Sequence, residues 1–233
     1  MTTIKLDLHL HTIYSGDSLI KPSDLIKYAK KKALDGFAIT DHNTLKAYKI
    51  LKKNNINKAL TIIPGMEIQT HIGEIIALFI DEDIKFENNY FLNVVEKVKD
   101  NNGLIIIPHP FDFLRNSTLK LTLINDRIIN RYIDGIEIIN SRIIFKKCVK
   151  KARKFNEKFK LFETGGSDAH TNEEIGKGYT LIRDVDNSFE SIRKNLLANK
   201  SRSMGVLSNP LVHTKTVFNK LKKGLYFQFH NHD

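Results

Sequence analysis

The sequence predicts one α/β domain built around a parallel sheet or barrel. Its 233 residues lie within the ~200–250 that a single α/β barrel often occupies. Short β-branched apolar runs alternate with stretches of helical spacing, which is the order of successive βαβ units. The composition, 41% hydrophobic and 27% charged, allows a substantial core and excludes collagen-like or broadly disordered chains.

The strands are predicted from apolar runs, and the helices from amphipathic segments between them. The runs lie at residues 4–8, 36–40, 60–64, 75–80, 104–108, 135–139, 161–164 and 178–182. The helices are expected from Pro22 to before Gly36 and at 44–54, 89–100, 144–158 and 188–199. A tail with no clear pattern follows from Ser201.

The helix predicted at 144–158 has two different faces. Its apolar face includes Cys148, which we interpret as a core residue and not as a nucleophile. Its other face is basic and carries Lys146, Lys147, Lys150, Lys151, Arg153 and Lys154. A solvated surface is the favoured interpretation, and contact with a nucleic-acid backbone is the alternative, because no aromatic residues are interleaved with these cations.

The charge and cysteine content limit the partners and the compartment. Lys and Arg number 37 against 26 acidic residues, giving a formal net charge of +11 that favours anionic partners. One cysteine excludes an intrachain disulfide framework and a Cys-rich zinc ribbon. No apolar run reaches the ~18–20 residues of a membrane span, and no secretory signal is evident. We therefore expect a cytoplasmic protein without a membrane partner or an obligate protein partner.

Histidines and carboxylates recur where the predicted strands end. The candidate metal ligands are His9, His11, Asp17, His42, Glu67, Glu74, His109, Asp168 and His170. In an α/β barrel the loops after the strands face one mouth, so these side chains are expected to converge. Mixed imidazole and carboxylate donors suit Zn, Mn or Fe, and nine donors exceed what one four-coordinate ion uses. We expect two or three divalent ions at this mouth.

A second group of possible ligands lies at the end of the chain. His230, His232 and Asp233 imitate a metal motif within LYFQFHNHD. Terminal residues are poorly held, whereas a metal site needs fixed geometry, so a frayed or tag-like terminus is the preferred interpretation.

Seven motifs in order resemble the PHP (polymerase and histidinol phosphatase) domain of metal-dependent phosphoesterases. They are DLHLHT at 7–12, SGDS at 15–18, ITDHNT at 39–44, PGMEIQT at 64–70, PHP at 108–110, IEIINSR at 136–142 and GGSDAHT at 165–171. The resemblance implies a distorted seven-stranded (β/α)7 TIM-like barrel over residues 1–200. It also implies a small PHP-associated region over residues 201–233.

The resemblance also implies how the ligands are shared among up to three ions. The first ion would take His9, His11, Glu67 and Asp168. Glu67 would bridge to a second ion completed by His109 and Glu74, and the third would take Asp17, His42 and His170. Many relatives have histidine at the position of Glu74, so His71 is an alternative ligand for the second ion.

Further residues are given supporting roles. We interpret Asp7 and Asp41 as acceptors of a hydrogen bond from the other nitrogen of a ligating imidazole. Arg115 and Arg142, just after motifs, are candidates to clamp a phosphate, with a surface ion pair as the alternative. His170 is a candidate donor of a proton to the leaving alcohol, besides being a ligand.

The predicted function is hydrolysis of a phosphate ester by a hydroxide that bridges two metal ions. The expected substrate is a small phosphorylated molecule, with a nucleotide or short nucleic acid included. A nuclease or nucleotide-bisphosphate phosphatase of the same family is the near alternative. A non-catalytic, metal-stabilised module that binds nucleic acid or protein is the alternative of another class.

Overall fold

A computed structural model describes residues 2–53, 60–80, 82 and 84–207, which form nine strands and six α-helices. The strands are β1 (Thr3–Asp7), β2 (Gly36–Ile39), β3 (Thr61–Thr70), β4 (Gly73–Leu78), β5 (Leu104–Ile107), β6 (Gly135–Asn140), β7 (Phe162–Gly166), β8 (Gly178–Arg183) and β9 (Ser201–Gly205). The helices are α1 (Pro22–Lys31), α2 (Lys46–Lys53), α3 (Phe91–Asp100), α4 (Asp126–Tyr132), α5 (Lys146–Phe159) and α6 (Phe189–Leu197).

All nine strands belong to one mixed sheet, in the order β7-β6-β5-β4-β3-β2-β1-β8-β9. Pairing is parallel among β1, β2 and β3 and among β5, β6 and β7, as the alternation of strands and helices predicts. β4 is antiparallel to both of its neighbours. Only His71 and Ile72 separate β3 from β4, and so short a link permits only a hairpin.

The sheet closes on itself between β1 and β7. Just beyond these strands, Leu10 and Ala169 form a parallel bridge, and the amide of Asp168 donates to the carbonyl of His9 at 2.7 Å. β8 pairs with β1 from Thr3 to Leu6. The partner of Leu6 is Thr180, whose hydroxyl accepts from the amide of Gly165 at 2.9 Å. The barrel-like α/β class is confirmed, with nine strands where the apolar runs predicted eight and the family resemblance implied seven.

Two elements were not indicated by the sequence. β9 is polar, with the sequence SRSMG, and has no apolar run to mark it. α4 is only seven residues long and begins where the side chain of Asn125 accepts from the amide of Ile128. Because β9 pairs with β8 in the same sheet, the domain division at residue 200 stays a prediction. The terminal group His230, His232 and Asp233 lies outside the described residues.

The helices pack on the outside of the sheet through their apolar faces. Val94, Val95 and Val98 of α3, for example, lie in one cluster with Ile105 of β5. Full burial of such a side chain contributes ~1.5–3 kcal/mol. Cys148 of α5 is buried, while the basic residues on the opposite face are exposed, as expected. Among the described residues, no helix is long and apolar enough to cross a membrane.

Candidate metal centre

The nine predicted ligands come from the loops after β1, β2, β5 and β7 and from β3 and β4, and the structure brings them together at one end of the barrel. Seven of them are buried: His9, His11, Glu67, Glu74, His109, Asp168 and His170. The side chain of Asp17 is 13% exposed and that of His42 is 29% exposed. The cluster therefore opens to solvent on the side of these two residues.

Glu67 lies at the centre of the cluster and is reached by four imidazoles. Its Oε2 is 3.2 Å from His11 Nε2, 3.3 Å from His42 Nδ1 and 3.5 Å from His9 Nε2. Its Oε1 is 3.0 Å from His109 Nε2. Burial alone would raise the pKa of Glu67, but the surrounding imidazoles hold it well below its usual value. The two oxygens of this carboxylate therefore face different imidazoles, which is the arrangement that a ligand bridging two ions requires.

The tautomers of His9 and His11 are fixed by their outer nitrogens. His9 Nδ1 donates to Glu137 Oε1 at 3.1 Å. The Ser15 hydroxyl donates to Asp41 Oδ1 at 2.7 Å, so its oxygen accepts from His11 Nδ1 at 2.9 Å. In the neutral rings both Nε2 atoms are therefore unprotonated, and they face each other at 3.1 Å.

Asp168 adds a further acceptor to this pair. Its Oδ2 accepts from Arg115 Nη1 at 2.6 Å and from Asn140 Nδ2 at 3.1 Å. Its Oδ1 is left facing His11 Nε2 at 3.4 Å and His9 Nε2 at 3.8 Å. The residue has a left-handed φ of +53°, a conformation that costs energy and recurs at functional sites.

The electrostatics at this point favour a cation. Burial alone would lower the pKa of His9, but attraction from Glu137, Glu67 and Asp168 outweighs it and raises the pKa well above its usual value. For His11, Asp168 and Glu67 outweigh burial in the same way and raise the pKa to about 9. The carboxylates thus draw positive charge toward two imidazole nitrogens, and a divalent ion supplies that charge without a proton. The donor set fits a metal ion.

The more exposed side of the cluster is built around Asp17. Its Oδ2 is 3.3 Å from His170 Nε2 and 3.7 Å from His42 Nε2. His170 Nδ1 donates to the backbone carbonyl of Asp168 at 2.8 Å, which leaves Nε2 of the neutral ring as an acceptor. Burial lowers the pKa of His170, so the neutral form is favoured. This state suits a metal ligand better than a proton donor.

Glu74, and not His71, lies beside the other donors. Glu74 Oε2 is 3.7 Å from His109 Nε2, and its Oε1 is 4.0 Å from His42 Nδ1. His71 Nδ1 instead accepts from the amide of Phe91 at 3.1 Å. Burial and the charge of Glu67 raise the pKa of Glu74.

The donors form one continuous cluster. Four groups have ligand atoms within 4.8 Å of one another: His11, His42 and His170; His9, His11 and Glu67; His9, His109 and Asp168; and His42, Glu67 and Glu74. Because these groups share members and cross the sets implied by the family resemblance, the division of ligands among ions stays a prediction.

The interpretation of Asp7 was wrong, and the residue that holds His9 was missed. The oxygens of Asp7 accept from the backbone amides of Ser167 and Gly176 at 2.9 and 2.8 Å, and burial raises its pKa to about 6. Glu137 is the acceptor for His9, and it lies in β6 within the IEIINSR motif. A charged residue within a buried strand, close to the strand's end, is the sequence signal that could have identified Glu137 as part of the site. Asp41 acts on His11 only through Ser15.

Gly166 allows these groups to meet. A Cβ atom at this position would collide with the Cβ of His9 and with Oε1 of Glu137. The glycine of the GGSDAHT motif is therefore needed for the close approach of β7 to the hydrogen-bonded pair.

The two predicted arginines border the cluster. Arg115 Nε donates to Asp112 Oδ2 at 3.0 Å, while its Nη2 is buried without a hydrogen-bond partner among the described residues. Arg142 Nε lies 3.8 Å from Glu174 Oε1. Both line a cavity of about 270 Å³ together with Asp112, Leu114 and Ile144. Burial alone would lower the pKa of Arg115, but Asp168 and Asp112 outweigh it, so the guanidinium stays charged.

Comparison with known families agrees with this site. A family model described as PHP domain matches residues 7–163, and one described as PHP-associated matches residues 149–201. The chain therefore belongs to the PHP domain family, as the motifs predicted. The curated protein MJ0417 of Methanocaldococcus jannaschii, which is uncharacterised, is 36% identical over 184 residues, covering 78% of this chain and 72% of that protein.

Solved structures share the fold. A two-domain protein from Bacteroides vulgatus, described as containing a predicted PHP-like metal-dependent phosphoesterase, superposes with a TM-score of 0.73 and 20% identity. The match covers 88% of this chain and 65% of that one. The lesion-specific endonuclease EndoQ of Pyrococcus furiosus gives a TM-score of 0.62 and 18% identity, covering 90% of this chain and 60% of that one. At these identities the likeness shows the fold alone.

Proposed function

We propose that the protein hydrolyses phosphate esters with two or three divalent ions of the Zn, Mn or Fe type. One observation carries this proposal: His9 Nε2 and His11 Nε2 lie 3.1 Å apart, and His11 Nε2 lies 3.2 Å from an oxygen of Glu67 and 3.4 Å from an oxygen of Asp168. Four acceptors directed at one another in a buried space are stable only around a cation. Membership of the PHP domain family supports the same reaction class.

Each group of residues has a role in this reaction. Bound ions would lower the pKa of water to supply a nucleophile and would offset charge on the phosphoryl oxygens. His9 and His11 are held in the ligating tautomer by Glu137 and Ser15, so little reorganisation is needed on loading. Glu67, with four imidazoles around its two oxygens, would serve more than one ion.

The arginines would bind the phosphate. Arg115 has a buried Nη2 with no partner among the described residues, and a phosphate oxygen would satisfy this donor. Arg142 lines the same cavity. For His170 we favour the ligand role, because its Nδ1 proton is already donated to a backbone carbonyl and burial lowers its pKa.

The test is a panel of phosphate esters assayed with protein loaded separately with Mn, Zn, Fe and Mg. Release of inorganic phosphate from sugar phosphates, histidinol phosphate, mononucleotides and bisphosphates would be measured, and cleavage of short RNA would be followed by the length of its products. Elemental analysis of the same samples, with anomalous diffraction, should show at least two ions per chain. Protein that holds two ions yet turns over no ester with any metal would contradict the proposal and support the non-catalytic alternative.

A nuclease or nucleotide-bisphosphate phosphatase is the second candidate. The exposed basic face of α5 favours it, since lysines placed along one helix can contact successive phosphates. The fold shared with an endonuclease is compatible with it. In the panel, this candidate predicts the highest kcat/KM on bisphosphates or short RNA, whereas a sugar-phosphate or histidinol phosphatase predicts the reverse order.

A further inference from the structure

Two phenylalanines in the loops that carry Arg115 and Arg142 are exposed and stack on each other. The rings of Phe113 and Phe145 have centroids 5.1 Å apart and planes 24° apart. Phe113 is 55% exposed and Phe145 is 39% exposed. The ammonium of Lys147 lies 4.2 Å from the centroid of Phe113 and 5.1 Å from that of Phe145. The pair thus offers an aromatic surface with a cation held next to it.

The position of this pair links it to the cavity that Arg115 and Arg142 line. Phe113 precedes Arg115 by two residues in the loop after β5, and Phe145 follows Arg142 by three residues in the loop after β6. Leu114 and Ile144, the sequence neighbours of the two phenylalanines, complete the wall of this cavity. Since Arg115 Nη1 contacts Asp168 at 2.6 Å, the same short loop connects the stacked rings with the metal cluster.

The arrangement suits a ligand that is flat and apolar at one end and anionic at the other. A cavity of about 270 Å³ is slightly smaller than the ~300–1,000 Å³ of sites that enclose a whole small molecule, so part of the ligand must lie outside it. Phe113 stands between the lining residues Asp112 and Leu114 in the sequence, and Phe145 follows the lining residue Ile144, so both exposed rings are carried by the segments that form the cavity wall. Nucleobases stack on aromatic side chains because every base has a π-face, while arginine and lysine neutralise phosphate.

We propose that Phe113 and Phe145 form a stacking subsite for the base of a nucleotide unit whose phosphate lies toward Arg115 and Arg142. The inference rests on the proposed phosphoesterase function and names its substrate class. The nucleotide unit is either a free mononucleotide or the end of a single strand, and these two sources present the same base and phosphate. Lys147, beside the rings, then neutralises a neighbouring phosphate in the second case.

A fluorescence experiment tests stacking without relying on activity. The chain has no tryptophan, so Phe113→Trp introduces a single indole into the subsite. Nucleoside monophosphate is expected to quench this fluorescence in a saturable manner, whereas glycerol phosphate is not. Phe189→Trp is the matched control, because Phe189 is also an exposed member of a phenylalanine pair, with Phe79. Titrations with a mononucleotide, a dinucleotide and a tetranucleotide distinguish the two sources: tighter binding with length indicates a strand end.

A kinetic experiment measures the contribution of the rings. Phe113→Ala and Phe145→Ala should each raise KM for a nucleoside monophosphate by about 5- to 150-fold, the range of one base stacked on an aromatic side chain. The KM for glycerol phosphate should change by less than about twofold, since that ester lacks a ring to stack. Phe189→Ala should leave both constants unchanged, and Phe113→Tyr should retain nucleotide affinity.

The outcomes separate the subsite from the phosphoesterase function. Hydrolysis of glycerol phosphate with no nucleotide quenching and no selective KM effect overturns the subsite and leaves the phosphoesterase function standing. Saturable quenching without hydrolysis of any ester overturns the phosphoesterase function alone. Size-exclusion chromatography supplies a further check. A dimer that Phe113→Ala dissociates, combined with no quenching, shows that the rings form a subunit interface and overturns the proposal.

Discussion

The two sides of the metal centre differ in how firmly their donors are held. On the inner side, His9, His11, Glu67 and Asp168 are at most 2% exposed, and the outer nitrogens of both imidazoles are hydrogen-bonded to Glu137 or Ser15. We call these four residues the inner donors. The protein itself therefore supplies the hydrogen bonds that orient both imidazoles.

Of the outer donors, Asp17, His42 and His170, the last is buried with an anchored ring nitrogen, whereas Asp17 and His42 are more exposed. Both ring nitrogens of His42 face carboxylates of the cluster itself, Glu67 at 3.3 Å and Asp17 at 3.7 Å, and the side chain is 29% exposed. A buried and preorganised set loses less on binding and interacts more strongly in low dielectric than an exposed one. We therefore expect the inner donors to bind an ion tightly and the outer donors to exchange theirs.

The largest expected effect comes from removing the charge of the central carboxylate. Glu67→Gln should lower kcat/KM by more than the ~10–100-fold typical of changes to residues that support a ligand, because four imidazoles approach its two oxygens. Asp17→Asn should lower it less, since that carboxylate approaches two imidazoles of the cluster, His42 at 3.7 Å and His170 at 3.3 Å, where Glu67 approaches four. Steady-state rates with elemental analysis check this. Equal rates in both variants and the original protein, with metals retained, would contradict the assignment of the site.

Removing the support of an inner imidazole should have the next largest effect. Glu137→Gln keeps the shape of the side chain but removes the charge that faces His9 Nδ1, and metal affinity should fall about 10–100-fold. Glu163→Gln, at the start of β7 and bonded to Ser203 at 3.0 Å, is the matched control and should bind metal normally. Competition with a chelator of known affinity gives both dissociation constants. Equal affinities in the two variants would show that the anchor of His9 is dispensable.

The pH dependence should distinguish the inner from the outer donors. Without metal the pKa of His11 is raised from 6.5 to about 9, so an ion must displace a proton below this pH. Affinity at the inner donors should rise about tenfold per pH unit per proton between pH 6.5 and about 9, and then level off. The pKa of His170 is lowered, so the outer donors should show little change in that window. Chelator competition across this range measures both sites, and parallel curves would contradict the distinction.

The stability of the metal-free protein should fall as pH rises, whereas metal affinity should increase. A raised folded-state pKa for His11 stabilises the folded chain fully below 6.5, and this contribution is lost as pH rises through about 9. Thermal unfolding of chelator-treated protein should therefore give a lower Tm at pH 9 than at pH 6.5, provided that this group dominates. Metal-loaded protein should not share this decline, because its imidazoles are already deprotonated.

The smallest expected effect concerns metal preference at Glu74. Glu74→His replaces an anionic oxygen with a neutral, softer nitrogen, which should raise the rate with zinc relative to manganese. The change should be modest, since His109 and Glu67 remain as ligands, with His109 Nε2 and Glu67 Oε1 3.0 Å apart. The ratio of the two rates in fully loaded protein is the measurement. An unchanged ratio, with residue 74 distant from any ion in a metal-bound structure, would make Glu74 a polar loop residue.

Patterns local in the chain predicted most of the fold and all nine donors that the structure brings together. Alternating apolar runs marked β1 to β8, and the position of residues such as His9, His42 and His109 after those runs placed them at one end of a barrel. The reversal of β4 was not predicted, although the two-residue link between β3 and β4 requires it. β9 was missed because its pairing with β8, and not its own composition, makes it a strand.

Contacts between distant residues were the part that local patterns could not supply. Glu137 meets His9 across 128 positions of the chain, so its place in a buried strand could mark it as a site residue but could not identify its partner. The stacked pair of Phe113 and Phe145 was not predicted, for the same reason. No aromatic residue is interleaved with the cations of the basic helix in the sequence, but Phe113, from another loop, packs beside Lys147 of that helix. Only barrel closure brings such loops together.

The bridge between Leu10 and Ala169 has a consequence for how the protein is made. It joins the chain after the first strand to the chain after the seventh, so the inner donors are complete only when both ends of the barrel have met. During synthesis His9 and His11 emerge first, and almost the whole barrel must be synthesised before Asp168 follows. We therefore expect metal capture to come late in maturation, with an ion linking the segments that follow β1 and β7.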